Sequence, residues 1–405
     1  MEKINYLGNL ESKRIEIENK EKELSQYDIV CNDFLKINFE KIRKESDLDD
    51  EIYKFKEKEI EDNFVGRREN IEKFQSPEFL SSFFESKGCT IFSPLPISNR
   101  ESTTLYISAG VQILDSIIHK EEEIPYQKFF VAQPVIRMQF IDKIEEGIST
   151  SFINISTEAV NKTPQDHFND FNNWLELLSI IGFNKVDFTV KYKKSAEKWG
   201  NRKFINNVIK IYYNDLEIGD ACYIEDMPQD KRENLSISDI GFGLERIKLI
   251  LFPEKSYFEN INFYFKNLSE TKSDICILDY SRSLALLAGQ GVVPSNKEHG
   301  YRFRQLSKFL VRHNLDRKKD ISKILDIFYD DWVKWLEMPV SKKDAIKLIM
   351  QENERNFNRE LLNELKKHYS DVDIDINQKT EEVLIALKGT SVKKDHLDQI
   401  LNEIL

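Results

Sequence analysis

Cysteine, histidine and proline are all scarce in this chain of 405 residues, which has four Cys, six His and ten Pro. The cysteines (Cys31, Cys89, Cys222, Cys276) are scattered, with no CxxC pair. That argues against a disulfide framework and against a Cys-rich zinc site, and it makes a reducing cytoplasm the simplest home. No run approaches the ~20 apolar residues of a membrane helix. The N-terminus, MEKINYLGNLESKRIEIENK, has neither an apolar run nor a cleavage site, so no signal peptide and no membrane partner are expected. An excess of basic charge is missing too. Lys and Arg number 59 against 70 Asp and Glu, a net charge of −11, which disfavours broad binding to DNA or anionic lipid. A local basic face stays open. With 40% hydrophobic and 32% charged residues, the chain reads as polar and globular, long enough for two or three domains.

Residues 1–75 lack proline and interleave opposite charges at i,i+4 in KRIEIENKEKELSQY and EIYKFKEKEIEDNF, the habit of solvated helices. We expect a helical extension there. Ser76 and Pro77 then start a helix that closes at Gly88. Short strands and turns follow in CTIFSPLPI, TTLYISAGVQIL and KFFVAQPVI, with Pro94, Pro96 and Pro134 at edges or turns. Residues 133–152 read as strand, polar loop and strand, and 163–183 as an amphipathic helix ending at Gly182. KVDFTVKY, NVIKIYY and LEIGDACYI are further strands. With no βαβ rhythm, the fold class expected is α+β, an antiparallel sheet flanked by helices. After Pro253 the chain turns helical (279–287, 301–312, 321–336, 342–367), and its end reads as a short strand or turn and the helix KKDHLDQILNEIL. The expected domains are 1–75, 76–255 and 256–405.

The stretch LSISDIGFGLERIKLILF (235–252) changes period midway. Alternation up to Ile240 is a strand signature, and it puts Asp239 in line with apolar residues. Gly241 and Gly243 flank Phe242, after which Leu244, Ile247, Ile250 and Leu251 form a helical stripe. Arg246 lies in that helix's first turn, the wrong end for a cation, which suggests either an anionic or π-rich partner or an ordinary strand–turn–helix with a surface Arg.

Several stretches together resemble the alanyl-tRNA synthetases, class II aminoacyl-tRNA synthetases. FLSSFFESKGCTIFSPLPIS followed by LYISAGVQ resembles the family's opening helix and first motif. FVAQPVIRMQFID resembles the second motif, and SDIGFGLERI resembles the third, "DTGMGLER". ILDYSRSLALLAGQGVVPSNKEHGYRFRQLSKFLVRHN is similar to a signature of the domain that follows the catalytic core. All four occur in the family's order.

The resemblance implies a class II catalytic domain followed by an all-α domain that recognises tRNA. It implies activation of an amino acid by ATP and Mg²⁺, and transfer to the 3′ end of tRNA. Arg137 matches the arginine that bridges the α-phosphate and the amino-acid carboxylate, a task suited to a planar guanidinium. Arg246 and Phe152 match the pair that sandwiches adenine. Gly241 and Gly243 would leave room for the nucleotide, and Lys143 would serve the triphosphate tail. Asp239 matches the acceptor of the substrate ammonium. Glu217, Gly219 and Asp220 would line the amino-acid pocket, with Glu217 near magnesium. Asn296, Arg302, Arg304, Lys308 and Arg312 would meet the tRNA acceptor stem.

There are departures. The loop after Arg137 is short, and the family's "RHH" is replaced by Ile148, Ser149, Thr150 and Ser151. "EIWN" is Glu217, Ile218, Gly219 and Asp220, which would enlarge or reshape the amino-acid pocket and add a charge. No HxxxH and downstream CxxxH are present, so neither zinc nor an editing domain is expected. The expected function is therefore that of a divergent, truncated alanyl-tRNA synthetase-like ligase, for alanine or another small amino acid. Aminoacyl transfer to a small molecule or carrier protein, and a non-catalytic tRNA- or nucleotide-binding paralogue, are the alternatives.

Overall fold

A computed structural model of the chain describes residues 39–41, 51–55, 74, 76–98, 104–115, 118, 127–141, 143–183, 187–199, 202–214, 216–226, 235–268, 271–314 and 319–368. The expected C-terminal strand and helix, and most of the expected N-terminal extension, lie outside the described residues. The chain forms two compact units.

The first unit is α+β and is built on a nine-stranded sheet. In chain order its strands are β1 (Phe39–Lys41), β2 (Glu51–Phe55), β3 (Thr90–Ile91), β4 (Lys128–Ile136), β5 (Ser151–Val160), β6 (Phe188–Trp199), β7 (Arg202–Tyr213), β8 (Leu216–Asp226) and β9 (Ser236–Gly243). Their order across the sheet is β1-β2-β6-β7-β8-β9-β5-β4-β3. Among the strand pairs with a described register, only β3–β4 is parallel.

Strands β1 and β2 overturn the helical reading of residues 39–41 and 51–55. β2 pairs with the outer edge of β6, Glu51 opposite Tyr192. An open strand edge supplies hydrogen-bond partners that outweigh the weak helix preference of alternating charges.

Two helices of this unit form as their end signals predict. Ser76 caps α1 (Pro77–Ser86), accepting from the Phe79 N–H at 3.2 Å, and Gly88 leaves the helix at φ +80°. Thr163 and Asp166 make a capping box at the start of α2 (Pro164–Ile180). Trp174 of α2 seats against one face of the sheet, 4.6 Å from the Phe242 ring, and donates to Thr157 Oγ1 at 2.7 Å. Residues 110–114, expected in a strand, form a 3-10 turn instead. The Gln112 side chain causes the curl, because its oxygen accepts from the N–H groups of Ser108 (2.6 Å) and Ala109 (3.1 Å).

The second unit takes residues 138–144, 149–151 and everything from Asn262 onward. Its helices are α4 (Lys272–Gly289), α5 (Glu298–His313), α6 (Ile321–Val333) and α7 (Lys342–His368). α4 is buried from Asp274 through Gly289. Arg282 of α4, 0% exposed, lies 4.3 Å from the Trp332 ring and donates to the Ser151 carbonyl at 2.9 Å. Asp279 accepts from the Thr150 N–H at 2.9 Å and its hydroxyl at 2.5 Å. The hydroxyls of Thr150 and Ser151 are thus held by α4.

Candidate active site

The site occupies the sheet face opposite Trp174. Residues paired across antiparallel strands share a face, and so do residues two apart along one strand. Three rows follow from the registers. Val160, Ile237 and Ile224 form an apolar row; Glu158, Asp239 and Cys222 form the next; Ser156, Gly241 and Asp220 form the third. The first row packs with Ile113, Leu114 and Val131. Polarity begins at the second row, where Glu158 is 0% exposed and Asp239 half-buried, and continues in the third with half-buried Asp220.

The four carboxyls of this face are held differently. Burial, then the neighbouring Asp220, lifts Asp239 to about 7. Burial, then Glu217, lifts Asp220 to about 6. Burial, then Asp239, drives Glu158 well above the ordinary carboxylate range. Burial acts on Glu217 as well, but Lys210, Arg246 and the Tyr212 hydroxyl outweigh it and hold its pKa low. Lys210 Nζ lies 3.3 Å from the Glu217 carboxylate and the Tyr212 hydroxyl 3.2 Å from it.

The helix α3 (Leu244–Leu251) starts directly at Gly243, with no side-chain cap. Glu245 in its first turn accepts from the buried Ile153 N–H at 3.0 Å, a carboxylate at the end that favours one. Arg246 donates to the carbonyls of Glu217 (2.8 Å) and Gly147 (3.3 Å). Main-chain oxygens therefore answer the misplaced cation and fix the direction of its guanidinium.

Arg137, just past β4, donates from Nε to the Ser108 carbonyl at 2.9 Å, and its guanidinium lies 4.9 Å from the Phe152 ring centroid. Burial lowers its pKa, Asp220 opposes that, and Arg246 adds to it, with Glu217 and Asp239 also in reach. A guanidinium keeps its charge regardless. Arg137, Phe152, Arg246, Glu217, Asp220 and Asp239 thus come together in one unit. Lys143 is exposed and belongs to the second unit.

The glycines behave unequally. At Gly243 an added Cβ would meet nothing nearer than Arg246 at 3.8 Å. At Gly241 it would come within 3.0 Å of the Asn154 amide. Gly219 is the most crowded of the three. A Cβ there would strike the Gly241 carbonyl and lie 2.6 Å from Phe242 Cδ1, on the Trp174 side of the sheet. The Phe242 ring, fully buried, fills that space.

Sequence reading overlooked Glu158, Ser156, Asn154 and Gly110. Asn154 accepts from the Gly110 N–H at 2.8 Å and ties the 3-10 turn to β5. The signal was present: in FINISTEAV, Asn154, Ser156 and Glu158 alternate with Ile153, Ile155 and Thr157.

In the second unit the basic residues of α5 have partners of their own. Arg304 pairs with Glu352 (3.2 Å), and Lys308 and Arg312 pair with Glu360 (3.4 and 2.7 Å). Arg302 donates to Gln305, and Arg304 also to Asn296. Both glutamates are buried on α7. Much of the expected phosphate-binding charge is thus spent inside the unit.

No protein-family model matches the chain. Curated proteins do. Alanine–tRNA ligase of Methanococcoides burtonii is 20% identical over 408 residues, 76% of this chain and 43% of the relative. That of Methanosarcina acetivorans is 22% identical, covering 73% of this chain and 40% of the relative. That of Alkaliphilus metalliredigens is 29% identical over 136 residues, 29% of this chain and 16% of the relative. The chain is a distant relative of the alanine–tRNA ligases. It spans less than half the length of the relatives that it matches most broadly.

Proposed function

We propose that this protein activates an amino acid with ATP, forming an aminoacyl adenylate and pyrophosphate, and passes the aminoacyl group to an acceptor. One observation supports this above the others: Arg137 lies against the ring of Phe152 on β5, and Phe152 shares its sheet face with Glu158, the cross-strand partner of Asp239. An amino acid carries an anion and a cation, and Arg137 and Asp239 supply the complement of each.

The chemistry asks for positioning and charge stabilisation rather than a protein nucleophile. An oxygen of the substrate carboxylate attacks the α-phosphorus of ATP, and the bond to pyrophosphate breaks. Arg137 holds the carboxylate and α-phosphate together, its plane braced by the Ser108 carbonyl and the Phe152 ring. Arg246, anchored by two carbonyls, faces the nucleotide. Asp239, as the carboxylate, receives the α-ammonium.

Magnesium is a separate matter. Glu217 is already engaged by Lys210 and Tyr212, and no group of three His, Cys, Asp or Glu side chains forms a metal cage among the described residues. Among the described residues Glu217 therefore does not form part of a protein-built magnesium cage.

For the acceptor, the 3′ end of tRNA is the first reading, since the matched relatives are tRNA ligases by name. A small molecule or carrier protein is the second, and the ion-paired α5 favours it. ATP–pyrophosphate exchange over a panel of amino acids tests activation, with exchange for at least one expected. Exchange with none would leave the non-catalytic reading. Labelling of total tRNA by the activated amino acid then separates the two acceptors.

A further inference from the structure

Three helices of the second unit leave a cleft of about 210 Å³ between them. Leu310 and Val311 of α5, Ile321 of α6, and Met350 and Phe357 of α7 line it. Leu310, Val311 and Ile321 are buried, while Met350, 38% exposed, stands at the rim. An apolar cavity of about 150 Å³ takes a benzene ring, so this cleft has room for a ring and a substituent.

One polar group opens into the apolar space. Asn353 of α7 lines the cleft and is 7% exposed. Its orientation is set by a relay that starts at a carboxylate, which can only accept. Asn356 donates from Nδ2 to Glu352 Oε1 at 3.3 Å and to the Ser307 hydroxyl oxygen at 2.8 Å. Ser307, accepting there, gives its own hydrogen to Asn353 Oδ1 at 2.7 Å. The amide nitrogen of Asn353 is the end left over, and it donates to no described residue. Unlike the partnerless atoms of Asn260 and Ser281, it is not sealed inside the core, so its open side is the cleft. A donor in an apolar recess is costly until an acceptor meets it.

We propose that this cleft binds a small uncharged molecule, an apolar ring or branched chain whose carbonyl oxygen accepts from Asn353 Nδ2. The apolar part packs among Leu310, Val311, Ile321, Met350 and Phe357. Charge at the cleft argues for a neutral acceptor. The Lys319 ammonium is held by Asp274 at 2.7 Å, and Asp320 and Glu354 also border the space, so an anion would meet no spare cation among the lining residues. The site lies within the second unit and does not depend on amino-acid activation.

Ligand-observed NMR titrations of the full-length protein with acetophenone, ethylbenzene and benzoate test this. The first two share a shape and differ in the carbonyl, and benzoate adds a charge. Acetophenone is expected to bind with a Kd on the order of 1 mM or tighter. It should exceed both competitors by about fivefold, the worth of one hydrogen bond. Asn353→Asp keeps an oxygen for Ser307 but removes the amide donor, so the preference for acetophenone over ethylbenzene should vanish while ethylbenzene still binds. Should that variant fail to fold, the wild-type ranking and Met350→Trp decide. Met350→Trp, made at an exposed rim position, should fill the cleft and weaken acetophenone and ethylbenzene by about tenfold or more. Equal binding of these two by wild type, a preference kept in folded Asn353→Asp, or a Kd unmoved by Met350→Trp would overturn the assignment. So would tightest binding by benzoate, or no acetophenone binding up to about 10 mM.

Discussion

Glu158 on β5 and Asp239 on β9 are in-register partners across an antiparallel pair, so two carboxyls stand side by side on the site face. Such partners have Cβ atoms about 4.5–5.5 Å apart. Burial raises both groups; Asp239 raises Glu158 further, while a hydrogen bond from Glu158 partly offsets the rise of Asp239. The pair therefore takes up its charges one after the other, with protons retained toward neutral pH.

Stability should record this directly. Asp239 titrates at about 7 in the fold against an ordinary 3.8, and Glu158 is displaced in the same direction. The folded chain then binds more protons than the unfolded chain, so stability falls as pH climbs from 3.8 through about 7. Calorimetry of wild type between pH 5 and 8 should show the decline. Glu158→Gln should reduce it by about 1 kcal/mol or more, one pKa unit being worth ~1.4 kcal/mol. Parallel pH curves for the two proteins would dissociate Glu158 from the pair.

Activity should move the opposite way over the same range. Only the carboxylate form of Asp239 accepts an ammonium, and that form gains population as pH approaches about 7. In pyrophosphate exchange, kcat/KM for the amino acid should rise toward about tenfold per unit below that pKa and then level off. A flat profile from pH 5.5 to 8 would take Asp239 out of the binding step. Asp239→Ala should abolish exchange.

Removing Arg137 tests the anionic side of the substrate. Arg137→Ala should lower exchange by about 10²–10³-fold or more, the usual cost of losing one positioned donor for developing charge. Arg137→Lys should recover only part of it, because an ammonium cannot make a planar two-point contact. Circular dichroism should be unchanged. Normal exchange by Arg137→Ala would contradict the assignment.

What sequence revealed and what it hid divide along contact range. The change of period at Gly241–Gly243 is local, so the strand, the turn and the helix carrying Asp239 and Arg246 were readable. The caps at Ser76 and Thr163 are local too. Glu158 was half-readable: its alternation was visible, but its partner lies on another strand, and register is a tertiary fact. The edge pairing of β2 with β6 and the ion pairs of α5 with α7 join distant segments, which charge spacing within one segment cannot reveal.

Gly219 separates two accounts of the amino-acid pocket. If its missing side chain opened space for substrate, Gly219→Ala would be tolerated by the fold and change amino-acid preference. With the Phe242 ring 2.6 Å from the added Cβ, the substitution should instead destabilise by about 1–3 kcal/mol through overpacking. Urea midpoints should fall, and the ranking of amino acids in exchange should stay as in wild type.

Arg312 and Lys308 share Glu360, which is buried while both cations are nearly half exposed. Each charge that contacts a phosphate contributes about 0.9 to the logarithmic salt slope on a duplex, and a charge already paired inside the protein contributes less. Wild type should bind tRNA weakly, with a slope below about two. Glu360→Gln releases both cations while keeping the side chain's shape, so affinity should rise and the slope should steepen by about one to two. Filter binding from 50 to 200 mM salt measures both. A steep slope in wild type, unchanged by Glu360→Gln, would mean that α5 contacts phosphates in spite of its ion pairs, and tRNA would then be favoured over a small acceptor.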